Sequence, residues 1–137
     1  MNADAFLDTN ILLRHFLGDI PDHAARSRAL IKQIESGELT VLITDTVVFE
    51  TVFVLEKSYR TPRDIIRAGL LEIIELPGVV LTGKRVMRDA FELYARNNGL
   101  SFADCFHAMY ALSKGVPRLL TFDRRMGTIP GIERIEP

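Results

Sequence analysis

The sequence lacks the features that stabilise or anchor a protein outside a reducing compartment. Its one cysteine, Cys105, cannot form an internal disulfide, which excludes a disulfide-stapled scaffold. No apolar run approaches the ~18 residues of a membrane span, and no Cys/His pair has zinc-finger spacing. The opening MNADAFLDTN lacks the charged and then apolar pattern of a secretion signal. We therefore expect a cytoplasmic protein with no membrane segment.

Linkers, repeats and a strong net charge are lacking as well. The 137 residues, 47% hydrophobic and 26% charged, suit one compact domain with its own core, so we expect a single domain over residues 1–137. The formal net charge of −1 lacks the positive sign that is common among nucleic-acid binders. Setting aside four acids discussed next leaves 14 of the 18 acidic residues against 17 basic ones. Any nucleic-acid footprint would therefore be a local patch.

Four carboxylates stand alone in or at the end of apolar stretches. Asp8 lies in AFLDTNILL, Glu50 in VVFETVFVL and Asp104 in LSFADCFHAMYAL, while Asp123 ends RLLTFD. Burying an unpaired carboxylate costs several kcal/mol, so such residues are usually paired or bound to a cation. The same stretches contain no matching set of isolated Lys or Arg, so a divalent cation with oxygen ligands is the expected partner. The pattern predicts a metal-dependent enzyme.

Short apolar strands alternate with helices along the chain, which predicts an α/β fold, a three-layer α/β/α sandwich with a mainly parallel central sheet. We expect strands at residues 4–7, 41–44, 79–81, 118–122 and 132–135. We expect helices from about residue 10 to Leu17, from Pro21 to Gly37, from Asp45 or Thr46 to about Tyr59, from Thr61 with an apolar stripe of Ile65, Ile66, Leu70, Ile73 and Ile74, around residues 86–94 with Gly99 closing, and from Ser101 to Gly115.

The predicted elements allow the four acids to meet. Ligands of parallel sheets bind at the carboxyl ends of the strands, where Asp8 and Asp123 are predicted to lie. Glu50 and Asp104 fall in the first turn or two of predicted helices, so short loops would bring all four acids to one edge of the sheet.

Each acid also has an ordinary structural interpretation, and these interpretations stay open. Asp8 can cap the helix that follows it, and Asp104 can form a capping box with Ser101. Asp123 can begin a turn before two arginines. Glu50 has the weakest such alternative, because it lies past the first turn with no cation one turn away.

The order and flanks of the acids resemble those of the PIN-domain nucleases, in particular the VapC branch of toxins from type II toxin–antitoxin systems. In that family the first acid lies in a DTN or DTS triplet, as in FLDTNILL, and the second on a helix similar to VVFETVFVL. The third lies in a segment similar to LSFADCFHAMYA, and the fourth in one similar to TFDRRM. The resemblance covers essentially the whole chain.

The resemblance implies a Mg²⁺- or Mn²⁺-dependent endoribonuclease that hydrolyses RNA phosphodiester bonds. By that resemblance Asp8 and Asp104 are direct metal ligands, Asp123 is a ligand of a second ion, and Glu50 is a ligand or a base acting through water. A hard cation held by a few carboxylates keeps positions open for water and phosphate, which agrees with this chemistry.

Further residues and partners complete the expected site. Thr9 and Asn10 are expected to orient carboxylates or phosphate, and Thr121 to point to the same side as Asp123. Arg124 and Arg125 are the basic residues best placed to guide RNA phosphates. By resemblance, the apolar third and fourth helices form a homodimer and dock a cognate antitoxin protein.

Two other functions compete with this one. A non-catalytic RNA-binding scaffold would keep the fold, although the intact acids argue against it. A phosphoacceptor receiver domain needs an acidic pair after the first strand and a late Lys, and a haloacid-type phosphatase needs Asp-x-Asp. The triplet Asp8, Thr9, Asn10 satisfies neither requirement, and TFDRR supplies no Lys.

Overall fold

The computed structural model describes residues 2–137, and in it the chain divides into two compact units. The first unit ends at Thr82, and the second comprises Gly83–Pro137. Each unit has a parallel sheet and helices of its own. The expected single domain over residues 1–137 stays a prediction at this point.

The first unit contains a parallel sheet of three very short strands. They are β1 (Ala5–Phe6), β2 (Val41–Leu42) and β3 (Val79–Val80), in the spatial order β1-β2-β3. Ala5 pairs with Val41, and Val41 pairs with Val79. Just beyond the first pair, the Leu7 N–H donates to the Leu42 carbonyl at 2.9 Å. The carboxyl ends of β1 and β2 therefore lie side by side.

Helices make both crossovers of this sheet, as parallel strands require. Helices α1 (Thr9–Leu17) and α2 (Pro21–Glu35) connect β1 to β2. Helix α3 (Asp45–Phe53) continues into a π-helical segment, Val54–Ser58, and is followed by α4 (Arg63–Ile74) before β3. The sides of these helices that face the core bury mainly apolar residues, among them Leu12, Leu13, Ile31, Ile34, Val47, Val48, Val52, Leu55, Ile66, Leu70, Ile73 and Ile74.

Two details of the first unit differ from the sequence-based predictions. The N-cap of α3 is Thr44, one residue before the predicted Asp45 or Thr46, because the Thr44 hydroxyl accepts the Val47 N–H at 3.4 Å. Ile65, predicted in the apolar stripe of α4, is 58% exposed. The buried face of that helix is already filled by residues at helical spacing from Ile66, and Ile65 lies about 100° away from it.

The second unit packs two helices beside a two-stranded parallel sheet. Its elements are α5 (Lys84–Arg96), α6 (Phe102–Ser113), β4 (Arg118–Leu120), a 3₁₀ helix (Arg124–Thr128) and β5 (Glu133–Ile135). Its core includes an aromatic cluster in which the Phe102 ring lies 4.4 Å from Phe91 and 5.4 Å from Tyr94. Helix α5 ends before the predicted Gly99, because Asn97 is already extended (φ −130°, ψ 93°).

The predicted α/β class and parallel strand pairing are confirmed. All six helices lie where the sequence predicts them, and the five strands lie within the predicted ranges but are shorter. Among residues 2–137, no helix has the length and hydrophobicity needed to cross a membrane.

Candidate functional site

Asp8 stands at the N-cap of α1, directly after β1, but its carboxylate caps nothing. Its backbone has the extended cap conformation (φ −81°, ψ 154°), and its carbonyl accepts the Ile11 N–H at 3.1 Å. The side chain makes no capping hydrogen bond and is exposed. Within residues 2–137, the structure gives this carboxylate no hydrogen-bond or ion-pair partner. The cap interpretation therefore holds for the Asp8 backbone and not for its side chain.

The two residues after Asp8 differ in environment. Thr9 is the first residue of α1 and is 6% exposed. Asn10 is exposed and lines a cleft of ≈ 600 Å³ between α1 and α2, beside Arg14 and His23. Of these two predicted supporting residues, Asn10 is therefore the one accessible to a ligand.

Glu50 projects from the exposed side of α3. The next residue, Thr51, is fully buried and its hydroxyl donates to the Val47 carbonyl at 2.7 Å, which fixes how α3 is rotated about its axis. Glu50 is exposed, and in the described part of the chain it has no hydrogen bond or ion pair. Since β1 and β2 are parallel neighbours and α1 contacts α3, Asp8 and α3 lie at the same edge of this sheet.

The exposure of Asp8 and Glu50 corrects one premise of the sequence analysis. Both acids sit in apolar stretches, and their isolation there suggested carboxylates deprived of water. Their neighbours along the chain are buried while the two carboxylates face solvent. A desolvation penalty therefore does not call for a cation at either residue. What the structure provides is two accessible carboxylates that no protein group neutralises within residues 2–137.

Asp104 forms the predicted capping box at the start of α6. Its N–H donates to the Ser101 hydroxyl at 3.1 Å, and the Ser101 N–H donates to Asp104 Oδ2 at 3.2 Å. The side chain is half-buried. The box uses one carboxylate oxygen, Oδ2, so capping and a ligand role for Asp104 are chemically compatible.

Asp123 is held by Arg125 through three hydrogen bonds. The Arg125 guanidinium reaches both carboxylate oxygens, at 3.0 Å from Nε and 2.8 Å from Nη2, and the Arg125 N–H donates to Oδ1 at 3.0 Å. The guanidinium and then the backbone N–H hold the pKa of Asp123 below its ordinary value. As expected, Thr121 lies with Asp123, since its hydroxyl accepts the Asp123 N–H at 3.0 Å. In this structure Asp123 is the start of the 3₁₀ helix and the partner of an arginine.

Arg125 connects the two acids of the second unit electrostatically. Its pKa is raised first by the hydrogen bonds to Asp123 and then by the charge of that carboxylate, with a smaller contribution from Asp104. The guanidinium is therefore engaged, whereas the exposed Arg124 makes no ion pair with any residue from 2 to 137. Of the two arginines predicted to guide RNA, Arg124 is the one available.

Sequence reasoning missed Arg134, which fixes the backbone around Asp123. From β5, its Nε donates to the Asp123 carbonyl at 3.1 Å and its Nη2 to the Phe122 carbonyl at 3.2 Å. The same guanidinium pairs with Glu136. No sequence signal marks this contact, because it depends on the pairing of β4 with β5.

Taken by unit, the first unit carries Asp8 and Glu50 and the second carries Asp104 and Asp123. Within the described residues, no group of three or more His, Cys, Asp and Glu side chains is arranged to hold a metal. The donors themselves are all oxygens, the type that Mg²⁺ and Mn²⁺ prefer. The residue types fit such a cation, and the guanidinium of Arg125 is a competitor for the oxygens of Asp123.

Two comparisons place the chain among known proteins. The model of the PIN domain family matches residues 5–132. The chain is also similar to a VapC ribonuclease of Aquifex aeolicus (strain VF5), at 27% identity over 133 residues, which cover 96% of this chain and 95% of that protein.

Proposed function

This chain belongs to the PIN domain family, and on that premise we propose that it is a Mg²⁺- or Mn²⁺-dependent endoribonuclease and the toxin of a toxin–antitoxin pair. The family match runs from residue 5 to 132 and so includes both compact units. We therefore also propose that residues 1–137 act as one domain. The similarity to a VapC ribonuclease over nearly the full length of both chains supports the choice of RNA as substrate.

The observation that carries the proposal is the free carboxylate of Asp8. It occupies an N-cap position without capping, at the carboxyl end of a parallel strand, where ligands of such sheets bind. A surface carboxylate at this place has no structural task in the described residues. A role in binding a cation gives it one.

The proposed roles follow the four acids. Asp8 and Asp104 hold the metal, and Glu50 is a ligand or a base that acts through water. Asp123 contributes to a second ion, for which Arg125 must first release its two oxygens. The cation offsets charge on the phosphoryl oxygens and promotes the ionisation of water.

Neighbouring residues are proposed to position these groups and the RNA. The Thr121 hydroxyl and Arg134 hold the backbone of Asp123, and Thr9 and Asn10 follow Asp8 on the first turn of α1. Arg124 is free to meet an RNA phosphate. Arg125 can do so when it leaves Asp123, and its positive charge then moves from the carboxylate to the substrate.

We also propose a homodimer and an antitoxin partner. The first unit exposes large apolar side chains that a second chain can cover, with Phe53 63% and Ile65 58% exposed. In contrast, Leu70 and Ile74, which the sequence analysis counted in this surface, are buried in the core. Sedimentation of the isolated protein tests the dimer, and a monomer at micromolar concentration would contradict it.

The decisive experiment is cleavage of a pool of structured RNAs by the purified protein in EDTA, Mg²⁺ or Mn²⁺. We expect cleavage that requires the metal and is lost in Asp8→Asn. Asp22→Asn is the matched control, because Asp22 is also an exposed acid at the start of a helix of the first unit, paired there with Arg26. Equal cleavage by wild type and Asp8→Asn would refute the assignment. RNA binding without cleavage in any metal would favour the non-catalytic scaffold.

A further inference from the structure

One face of α6 carries a row of side chains that the core does not use. Phe106, Tyr110 and Lys114 follow one another at four-residue spacing, and we call this row the α6 ladder. The rings of Phe106 and Tyr110 stack at 6.0 Å with 18° between their planes. The Lys114 Nζ lies over the Tyr110 ring, 5.6 Å from its centroid. The ladder therefore ends in a cation–π contact.

The ladder faces solvent while another face of α6 fills the core. The buried residues of this helix are Phe102, Cys105 and Ala108, whereas Tyr110 is 50% exposed and Lys114 is exposed. Phe106 precedes Tyr110 by one turn and Lys114 follows it by one turn, so the two lie on opposite sides of the tyrosine ring. Only a flexible lysine covers the outer face of that ring, and a planar group can displace it.

The charge of the second unit favours a polyanion as the occupant. Residues 83–137 contain nine Lys and Arg against six Asp and Glu, a formal charge of +3, although the whole chain carries −1. The preceding residues contain eight Lys and Arg against twelve acids, a charge of −4. Positive charge is thus concentrated in the unit that carries the ladder, and such local concentration is typical of a nucleic-acid footprint.

We propose that the α6 ladder is a stacking platform for single-stranded RNA. A nucleobase takes the place of Lys114 on the outer face of Tyr110, and Lys114 moves to the adjacent phosphate. Aromatic rings beside basic residues bind single strands in this way, since every base has a π-face. The proposal deepens the proposed ribonuclease function by naming a substrate subsite, and it rests on that function.

The distance to Asp104 fits a bound strand. Tyr110 lies six residues after Asp104 on the same helix, about 9 Å along the axis at 1.5 Å per residue. Stacked nucleotides rise by about 3.4 Å each, so the platform would hold a base about two or three nucleotides from the one at Asp104. A protein partner would be better served by a surface without a terminal lysine, because charged residues are depleted at the centres of such interfaces.

The test is fluorescence anisotropy of a labelled single-stranded RNA in EDTA, where metal-dependent cleavage does not interfere. Tyr110→Ala should weaken binding about 5- to 150-fold, the cost of one stacked base, while Tyr110→Phe keeps the ring and should bind within about twofold of wild type. Tyr59→Ala is the matched control, a tyrosine of similar exposure (47%) in the first unit. It should bind like wild type. Circular dichroism checks that each variant is folded.

Three outcomes would overturn the proposal. Tyr110→Ala may bind RNA as tightly as wild type, or Tyr110→Phe may lose as much affinity as Tyr110→Ala. A change in sedimenting mass of Tyr110→Ala with unchanged RNA affinity would instead make the ladder a protein interface. If wild type cleaves RNA in Mg²⁺ in these cases, only the ladder fails. If wild type neither binds nor cleaves RNA, the proposed ribonuclease function fails with it.

Discussion

Two substitutions at the start of α6 should separate the structural role of Asp104 from its proposed catalytic role. In the capping box, the Ser101 hydroxyl accepts the Asp104 N–H and the Asp104 carboxylate accepts the Ser101 N–H. Ser101→Ala removes the first hydrogen bond and leaves the carboxylate. Asp104→Asn keeps an oxygen that can accept the Ser101 N–H and removes the charge. One variant therefore damages the cap, and the other damages the acid.

The expected stability changes follow from the cap geometry. Loss of a Ser N-cap costs about 0.5–2 kcal/mol, and loss of one negative charge at a helix N-terminus costs about 0.3–1 kcal/mol. An unfolding entropy of about 2.1 cal/mol/K per residue gives about 290 cal/mol/K for 137 residues. One kcal/mol then shifts Tm by about 3.5 °C. We expect Tm to fall by about 2–7 °C in Ser101→Ala and by about 1–3.5 °C in Asp104→Asn.

The activities should follow the opposite order. Asp104→Asn should lose at least about a hundredfold in metal-dependent RNA cleavage, the scale on which essential acid and base groups act. Ser101→Ala should retain most of the activity, measured well below its Tm, because the Asp104 carboxylate remains. Scanning calorimetry and initial rates of cleavage on the same preparations give both quantities. If Asp104→Asn cleaves within about threefold of wild type, Asp104 is only a cap and the reasoning is wrong.

Three further predictions concern the metal, the Asp123 pair and the sheet. Mg²⁺ or Mn²⁺ at a hundredfold excess over its dissociation constant should stabilise wild type by about 2.7 kcal/mol, and thermal shift should show little effect in Asp8→Asn. Arg125→Gln should raise the pKa of Asp123 in an NMR titration. Because the folded pKa of Asp123 is depressed, its stabilising contribution is present above the ordinary Asp pKa and lost as pH falls through the folded value, so wild type and Arg125→Gln should converge in stability at acid pH; a constant difference would contradict the pairing. Gly78→Ala would place a Cβ 2.9 Å from the Ile34 carbonyl oxygen and should cost about 1–3 kcal/mol in denaturant unfolding, and a neutral effect would mean that the backbone there yields.

Much of the fold could be predicted because its signals are local. Pro21 opens α2 at the expected residue, and Ser101 with Asp104 forms the capping box that their spacing predicts. The strand lengths could not be predicted, because an apolar run such as VLIT at 41–44 records burial, whereas a strand ends where its ladder of hydrogen bonds ends. Burial continues past the ladder here, since Ile43 is 2% exposed one residue beyond β2.

The candidate site could be predicted in its residues more readily than in their surroundings. The positions of Asp8 at a strand end and of Glu50 on a helix follow from the pattern. Their exposure does not follow, because apolar neighbours in sequence lie on the other side of the helix in space. The engagement of Asp123 by Arg125 was equally hidden, since the same two residues can form a surface turn or a bidentate ion pair.

The π-helical segment Val54–Ser58 has a consequence for how this chain compares with others in length. Its turn holds about one residue more than an α-helical turn, because its hydrogen bonds close at i→i+5. Deleting one residue there would restore a regular α-helix and rotate everything that follows by about 100°. Glu50 lies before the segment and would keep its place, whereas the exposed Tyr59 follows it and would turn. A relative with a one-residue gap between 54 and 58 would therefore preserve the acid and present a different surface after it.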